Sequence, residues 1–533
     1  MITDISDHHT LKAAFETSLE KYADRTAVRV PETDEQYTYA DLDERSNAVA
    51  TVLQEHGVTT GDRVALMMSN CIEYVVADLA IIKAGAVKIP LNDMLTEEEF
   101  QYILSDSRAE TVVCGPAFID TVADIRSELP ALERVVAIKN EKTVLPDSFE
   151  QFADIEASTD GTTPPSVDLT ASDTVAQYYT GGTTGKPKGV IQSHGSMTLN
   201  AYAHIVEMSI TGDDMLLLMT PLPHSAGLFM WGCLLTGATA VVRDGFDAQQ
   251  AVADIETFDI SWAFFVPTMI YRLLDLDVLD GYDTSSLSTL AYGAAPMTPT
   301  RLQEGIDAFG HVFVQFYGQT EVPNLITTFG KQEHRIAIEA GDEEQLSSAG
   351  TPCLMTRVKI VDIETGNELP PGEEGEILAT GPYTMDEYFE RPEKTRQTMT
   401  DGWVHTGDVG KVDEDGYVYL LDRESDVIIT GGMNVYSTEV EEAIDQHPDV
   451  TEVAVVGVPD DEWGEAVHAV VVSAADAKLS TDDLRFVCKE RLADYKVPKS
   501  FEFTDEIPKT PYGKQDKVTL RDRYWEEEDR EIA

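Results

Sequence analysis

The spacing of apolar positions along the chain alternates between two periods in a regular order. Apolar residues three and four apart fill 11–22, 39–56 and 72–84, which predicts helices. Short apolar runs at 63–68, 86–91 and 111–114 predict strands between and after them. Such alternation predicts a parallel sheet with helices on its faces. Residues 141–172 are polar and rich in Ser, Thr, Asp and Pro, and read as a connector. A second alternating block follows, with strands predicted at 174–179, 215–219, 239–242, 261–266, 287–292 and 312–316. Between 345 and 422 the pattern changes to short strands at 357–361, 376–379 and 417–421 separated by turn signals such as Asp415-Gly416, which predicts a small antiparallel unit. The last hundred or so residues mix strands (453–458, 469–473) with helices (438–446, 481–491) and read as a separate α+β unit. The expected class is α/β: a large N-terminal domain of two alternating subdomains plus a small β subdomain, then a smaller mobile α+β C-terminal domain. No internal repeat is evident.

Composition fits this size. A chain of 533 residues with 42% hydrophobic positions supports three or four folding units. The charge is extreme, with 39 Lys and Arg against 96 Asp and Glu, a net −57. Nucleic acid and anionic membranes carry phosphates that need cations, so both are excluded as expected partners. The acids are dispersed (Asp213, Asp214, Glu373, Glu374, for example) with no separate acidic tail. That spread predicts a solvated acidic surface of the kind found in halophilic proteins. Five scattered cysteines, none in a CxxC pair, imply neither a disulfide framework nor a zinc site. The most apolar stretch, 64–90, is interrupted by Glu73, Asp78 and Lys83, so no membrane span is expected. The first twenty residues carry Asp4, Asp7, Lys12, Glu16 and Glu20 and do not read as a signal peptide; a cytoplasmic protein is expected.

The strongest chemical signal is Tyr178-Tyr179-Thr180-Gly181-Gly182-Thr183-Thr184-Gly185-Lys186-Pro187-Lys188-Gly189-Val190. An apolar strand gives way to glycines, which let backbone N–H groups close on an anion, with threonine hydroxyls and lysine charges beside them. A polyphosphate needs that combination. A Walker loop is excluded because its first Gly and its final Ser/Thr are here Thr180 and Pro187. The dinucleotide GxGxxG spacing fails at Thr183.

This run resembles the signature loop of the AMP-forming adenylating enzymes, which include acyl-CoA synthetases, firefly luciferase and peptide-synthetase adenylation domains. Further blocks resemble that family in its order along almost the whole chain. They are Pro221-Leu222-Pro223-His224-Ser225, Gly293-Ala294-Ala295-Pro296, Tyr317-Gly318-Gln319-Thr320-Glu321, Asp401-Gly402-Trp403-Val404-His405-Thr406-Gly407-Asp408, Asp422-Arg423-Glu424-Ser425-Asp426, Gly431-Gly432-Met433-Asn434 and Pro508-Lys509-Thr510-Pro511-Tyr512-Gly513-Lys514. On its own His224 would pass for a buried core histidine and Lys514 for a surface charge; the blocks make them site residues.

The resemblance implies roles. The loop, with Thr180, Gly181, Gly182, Thr183, Thr184, Gly185, Lys186 and Lys188, would hold the β- and γ-phosphates of ATP. Gly293, Ala294 and Ala295 would border adenine, with the Tyr317 ring against it and Gly318 in the same turn. Thr320 would contact the α-phosphate and Glu321 would hold Mg²⁺. Asp408 and Arg423 would take the ribose. His224 would lie beside the acyl pocket, and Gly431 and Gly432 beside the pantetheine tunnel. Lys514 would stabilise charge at the α-phosphate, with Glu321, Thr180 and His224 as its catalytic company. Residues 1–422 would form the adenylation domain, 423–426 a hinge and 427–533 the mobile domain. The hinge position, usually Lys or Asp in the family, is Ser425 here.

The implied reaction has two steps: a carboxylate attacks ATP to give acyl-AMP and pyrophosphate, then a thiol takes the acyl group. Coenzyme A is the expected acceptor, since no carrier-protein segment follows. The segments expected to line the acyl pocket, 224–229, 262–269, 293–295 and 322–325, hold no Arg or Lys and predict a hydrophobic monocarboxylic acid. The Thr-Gly-Gly form of the loop resembles that of long-chain fatty acid ligases more than that of acetate ones, which implies medium- or long-chain fatty acids; an aromatic acid of the coumarate or benzoate type is the alternative. A catalytically silent nucleotide- or acyl-binding member is a further reading, which loss of Glu321, Asp408, Arg423 or Lys514 would signal; all four are present. The sequence leaves room for a homodimer.

Overall fold

The computed structural model describes residues 10–525 apart from 141–142, 160, 181–185, 432, 461–462, 475–478 and 511–513. Four sheets organise these residues. The first has eight strands, in the order Glu387–Tyr388, Gly189–Ser193, Thr174–Tyr179, Val87–Leu91, Arg63–Met67, Thr111–Cys114, Arg134–Ala137 and Glu150–Gln151. The second has nine, in the order Thr351–Pro352, Val322–Phe329, Phe313–Gln319, Thr289–Gly293, Trp262–Phe265, Met215–Leu218, Thr239–Val242, Thr26–Val30 and Glu35–Thr38. The middle of each sheet is parallel, as the alternation predicts.

Alternation of side chains along each strand explains how the sheets stack. Val64 and Leu66 face one core, and Ala65 and Met67 face another. Leu216 and Leu218 share the first of these cores, whereas Leu217 and Met219 turn to a third. The shared core lies between the two sheets, filled by helices Leu11–Lys21, Tyr39–Glu55, Ile72–Ala84, His194–Glu207 and Gly227–Thr236. Helix Ile72–Ala84 is buried on every side except at Glu73, which is why its sequence is apolar all round.

That central layer also holds an ion pair. Lys88 Nζ lies 2.8 Å from Asp78 Oδ1, with side chains 3% and 5% exposed. The Trp231 indole N–H donates to the other Asp78 oxygen at 2.7 Å, and Lys88 Nζ stands 4.1 Å from the Trp231 ring centroid. Burial pulls the Lys88 pKa down and the Asp78 carboxylate opposes it. Strand, helix Ile72–Ala84 and helix Gly227–Thr236 are thus tied at one polar point inside an apolar core.

The structure redraws the two alternating blocks. The hairpin Thr26–Val30 and Glu35–Thr38 was not expected; it joins the second sheet, where Val28 lies beside Ala240. Thr174–Tyr179 belongs to the first sheet, with Ala176 beside Lys88. Pairing across the chain, invisible to a local period, decides both. The strand expected at 312–316 continues to Gln319 and turns back through antiparallel Val322–Phe329. The polar Gly-Gln-Thr-Glu sequence there reads as loop until its partner strand is known. Among its described residues the connector is irregular except for strand Glu150–Gln151 and helix Phe152–Glu156.

The third sheet is antiparallel, as expected, with strands Arg357–Val361, Gly375–Thr380, Trp403–Val412, Met399–Thr400 and Val418–Arg423. The fourth carries Met433–Val435, Ile428–Thr430, Gly464–Ser473, Val450–Asp460 and Ser500–Phe503. Its own core uses Val440, Ile444, Val455, Val467 and Leu484 from strands and two helices. Among the described residues no helix is long and apolar enough to cross a membrane. The five cysteines are all unpaired.

Candidate active site

The Gly/Thr loop joins two neighbouring strands of the first sheet, one in from its edge strand Glu387–Tyr388. Tyr179 pairs with Gly189 and Tyr178 with Val190 on adjacent antiparallel strands. Thr180 closes the base: its N–H donates to the Lys188 carbonyl at 3.1 Å, and its hydroxyl accepts from the Lys188 N–H at 3.3 Å. Gly181, Gly182, Thr183, Thr184 and Gly185 lie outside the described residues. Lys186 Nζ stands 5.0 Å over the Tyr102 ring and Lys188 Nζ 4.8 Å over the Tyr388 ring. The Tyr388 hydroxyl donates to Glu321 Oε1 at 2.5 Å, so Glu321 and the returning limb of the loop meet at one ring. Burial lowers the Lys188 pKa; Glu321 opposes that and Lys394 adds to it.

Across from the loop, parallel strands of the second sheet end side by side, with Gly293 opposite Phe316. A crevice outside the carboxyl ends of parallel strands is where α/β sheets take ligands. Ala294 sits there at φ 67, in the left-handed region that a residue with a Cβ rarely adopts, and Ala294 and Ala295 are exposed. Gly318 is required by crowding: a Cβ there would come within 2.3 Å of the Asn324 backbone. Thr320 is half-buried in the turn, and Glu321 is buried.

Tyr317, Asp408 and Arg423 form one line. The Tyr317 hydroxyl donates to Asp408 Oδ2 at 2.5 Å, and Arg423 Nε lies 2.7 Å from Oδ1. Asp408 and Arg423 face each other in register on neighbouring strands. Burial pushes the Tyr317 phenol well up, with Asp408 adding to it, and the Asp408 charge raises the Arg423 pKa. Both Asp408 oxygens already accept from protein, yet each carboxylate oxygen has a second lone pair for a ribose hydroxyl.

Lys514 reaches this line from the far end of the chain. Its backbone carbonyl accepts from Thr510 N–H at 2.7 Å, and Lys509 bridges Gln515. Surrounding protein lowers its pKa, Arg423 lowers it further, and Asp408 opposes both. The same charge bears on His224, whose pKa falls to about 4, first through burial and then through Lys514. His224 sits in the turn Leu222–Ala226 with a non-helical backbone, and Asn92 Nδ2 approaches its Nε2 at 3.2 Å. His224, Arg423 and Lys514 keep contact with solvent although protein walls them in, as residues lining a narrow cleft do. Gly431 is placed elsewhere, at φ 58 under Trp463, where a Cβ would come within 2.3 Å of the indole. Trp463 itself is 42% exposed, so it is not a core residue. Gly432 lies outside the described residues.

A family profile described as AMP-binding enzyme matches residues 15–389, and one described as AMP-binding enzyme C-terminal domain matches 439–514. The chain belongs to the AMP-binding enzyme family. Among its relatives is the medium/long-chain-fatty-acid–CoA ligase FadD8 of Mycobacterium tuberculosis, 34% identical, with the alignment covering 92% of this chain and 86% of the relative. Feruloyl-CoA synthase of an Amycolatopsis species is 37% identical over 91% of this chain and 94% of its own. An ATP-bound structure of MatB from Rhodopseudomonas palustris superposes with a TM-score of 0.86 at 31% identity, covering 97% of this chain and 99% of that one.

Below the helix that follows the His224 turn, the central core of this AMP-binding enzyme is aromatic. Phe229 meets Trp262 at 4.9 Å and Phe264 at 5.0 Å between centroids, and Phe264 meets Phe316 at 5.6 Å. A polar chain runs along it that the sequence did not announce. Ser225 Oγ donates to Asn324 Oδ1 at 2.8 Å, and Asn324 Nδ2 meets His204 Nε2 at 3.0 Å. Sequence reasoning also missed Tyr388, Asn92, Tyr102 and Asp106. None stands in a motif, and no spacing marks them.

Proposed function

We propose that this AMP-forming acid–CoA ligase activates a hydrophobic monocarboxylic acid, with medium- or long-chain fatty acids as the first choice. The observation that carries the reading is the convergence of Lys188, Glu321, Tyr317, Asp408, Arg423 and Lys514, drawn from three sheets and the C-terminal segment, on one cleft. The loop with Lys186 and Lys188 takes the β- and γ-phosphates. The ring of Tyr317 and the strand end Gly293, Ala294 and Ala295 take adenine, Asp408 and Arg423 the ribose, and Thr320 the α-phosphate. Lys514 places a cation where negative charge grows as the acid's carboxylate attacks the α-phosphorus and pyrophosphate leaves. Among the described residues no three acids, histidines or cysteines cluster as a metal site. A single buried carboxylate at Glu321 suits Mg²⁺, which binds through one or two carboxylates plus phosphates and water. The ion would neutralise phosphate charge.

Thioester formation then requires the C-terminal domain, 427–533, to turn about 423–426 and carry Lys514 away. The Ser437 N–H donates to Asp422 Oδ2, and Tyr436 donates to Glu374 at 2.7 Å. These are contacts a rotation must break. The face bearing Gly431, Gly432 and the exposed Trp463 would then meet coenzyme A.

An aromatic acid is the second reading. The polar chain Ser225–Asn324–His204 gives a ring hydroxyl or methoxyl something to bond, which an alkyl chain does not use. ATP–pyrophosphate exchange with a panel of fatty and aromatic acids separates the two. The fatty acid reading expects the highest kcat/KM with an alkyl acid of medium or long chain. A best substrate carrying a substituted ring would overturn it.

Unpaired cysteines throughout the chain suit a reducing cytoplasm. The dispersed net charge of −57 suits a salt-rich one, because close carboxylates repel until counter-ions screen them. Circular dichroism in dilute buffer is therefore expected to show loss of structure relative to concentrated KCl. Full retention of fold and activity without salt would contradict halophilic adaptation.

A further inference from the structure

Both limbs of the Gly/Thr loop are gripped from outside by groups that no motif contains. Tyr102 and Asp106 lie on helix Glu97–Ser107, four residues apart and so on one face. The Tyr102 hydroxyl donates to the Pro187 carbonyl at 3.0 Å, on the returning limb. Asp106 Oδ2 accepts from the Tyr179 hydroxyl at 2.9 Å, at the root of the outgoing limb. The other oxygen, Oδ1, accepts from an Arg391 guanidinium nitrogen at 2.5 Å. The Asp106 side chain is only 12% exposed.

Arg391 ends a segment, 386–391, that runs along the returning strand. Asp386 N–H donates to the Ile191 carbonyl at 2.9 Å and Phe389 N–H to the Gly189 carbonyl at 2.7 Å. Tyr388, in the middle of the segment, is the residue that donates to Glu321. One carboxylate therefore joins the exit of the loop to its return through Arg391, and the same segment joins the loop to Glu321. Charge-assisted bonds to a largely buried carboxylate make a stiff junction. Holding the flanks of a binding segment in place beforehand lowers the ordering cost that binding has to offset.

We propose that Asp106 is a positioning residue for ATP: with Tyr102 and Arg391 it fixes the two limbs of the loop relative to each other and to Glu321 before the nucleotide binds. The inference rests on the reading of the loop as the polyphosphate site. AMP lacks the β- and γ-phosphates, so the junction matters for ATP and not for AMP.

Isothermal titration of the full chain with Mg·ATP and, separately, with AMP tests this in Asp106→Asn and Tyr102→Phe. ATP binding is expected to weaken about tenfold in Asp106→Asn, the scale of one charge-assisted hydrogen bond. It should weaken less in Tyr102→Phe, with AMP binding within about twofold of the parent in both. Equal weakening for both nucleotides, or no change for either, overturns the proposal. Lys188→Ala, titrated alongside, reads the loop itself. If that variant binds ATP as the parent does, the polyphosphate assignment falls and the positioning role falls with it. Should Asp106→Asn fail to fold, the ATP-to-AMP ratio in Tyr102→Phe, which lacks a single oxygen atom, decides the matter.

Discussion

Lys514→Ala is expected to lose acyl-adenylate formation by roughly 10²–10³-fold, the loss typical of removing one preorganised charge from a transition state. The same variant should form thioester from supplied acyl-adenylate and coenzyme A within about tenfold of the parent, because in the proposed second step the C-terminal domain has turned and withdrawn Lys514. The geometry supports this asymmetry. Lys514 shares the cleft with Arg423, Asp408 and His224, and its pKa is lowered first by burial and then by the Arg423 charge. Such a group is held in place by the fold at the cost of some charge repulsion, which a bound polyphosphate would relieve. Half-reactions measured separately, by pyrophosphate exchange and by thioester release, provide the check. Equal losses in both would remove Lys514 from its assigned role.

The second large effect concerns stability. Lys88→Met leaves Asp78 buried with only the Trp231 N–H as partner. Breaking a buried pair from one side costs about 3–5 kcal/mol, because an uncompensated charge stays in the core. High salt does not rescue it, since ions cannot reach a pair whose side chains are 3% and 5% exposed. Denaturant unfolding followed by tryptophan fluorescence is expected to show the whole loss in Lys88→Met. Most of it should return in the double variant Lys88→Met with Asp78→Leu, which replaces the pair by apolar volume. A single variant within about 1 kcal/mol of the parent would contradict the account of this core.

Much of the cleft was legible because its residues cluster in short runs. Tyr317 through Glu321 needs no tertiary knowledge to be recognised, and neither does Asp408 or Lys514. The residues that hold those runs in place were not legible. Tyr388 bonds Glu321 across 67 positions of sequence, and Asp106 meets Arg391 across 285. A lone tyrosine or aspartate carries no period and no spacing, so only the folded chain shows what it touches. The sheets show the same division. Local alternation predicted parallel strands in both halves. It could not show that Thr26–Val30 crosses to pair with Thr239–Val242, because register between distant strands is set by packing and not by either strand alone. The antiparallel strand Val322–Phe329 is hidden for a related reason: the apolar run of its partner stops at 316, and the polar residues that follow interrupt the period before the chain turns back.

Mass spectrometry of products tests the central claim most directly. The full chain would be incubated in concentrated KCl with Mg²⁺, ATP, coenzyme A and a panel of fatty and aromatic acids. The account predicts AMP and one acyl-CoA in equal amounts, dependent on the acid and lost with Lys514→Ala. Acid-dependent ADP in place of AMP, or no acid-dependent nucleotide cleavage with any acid of the panel, would contradict it.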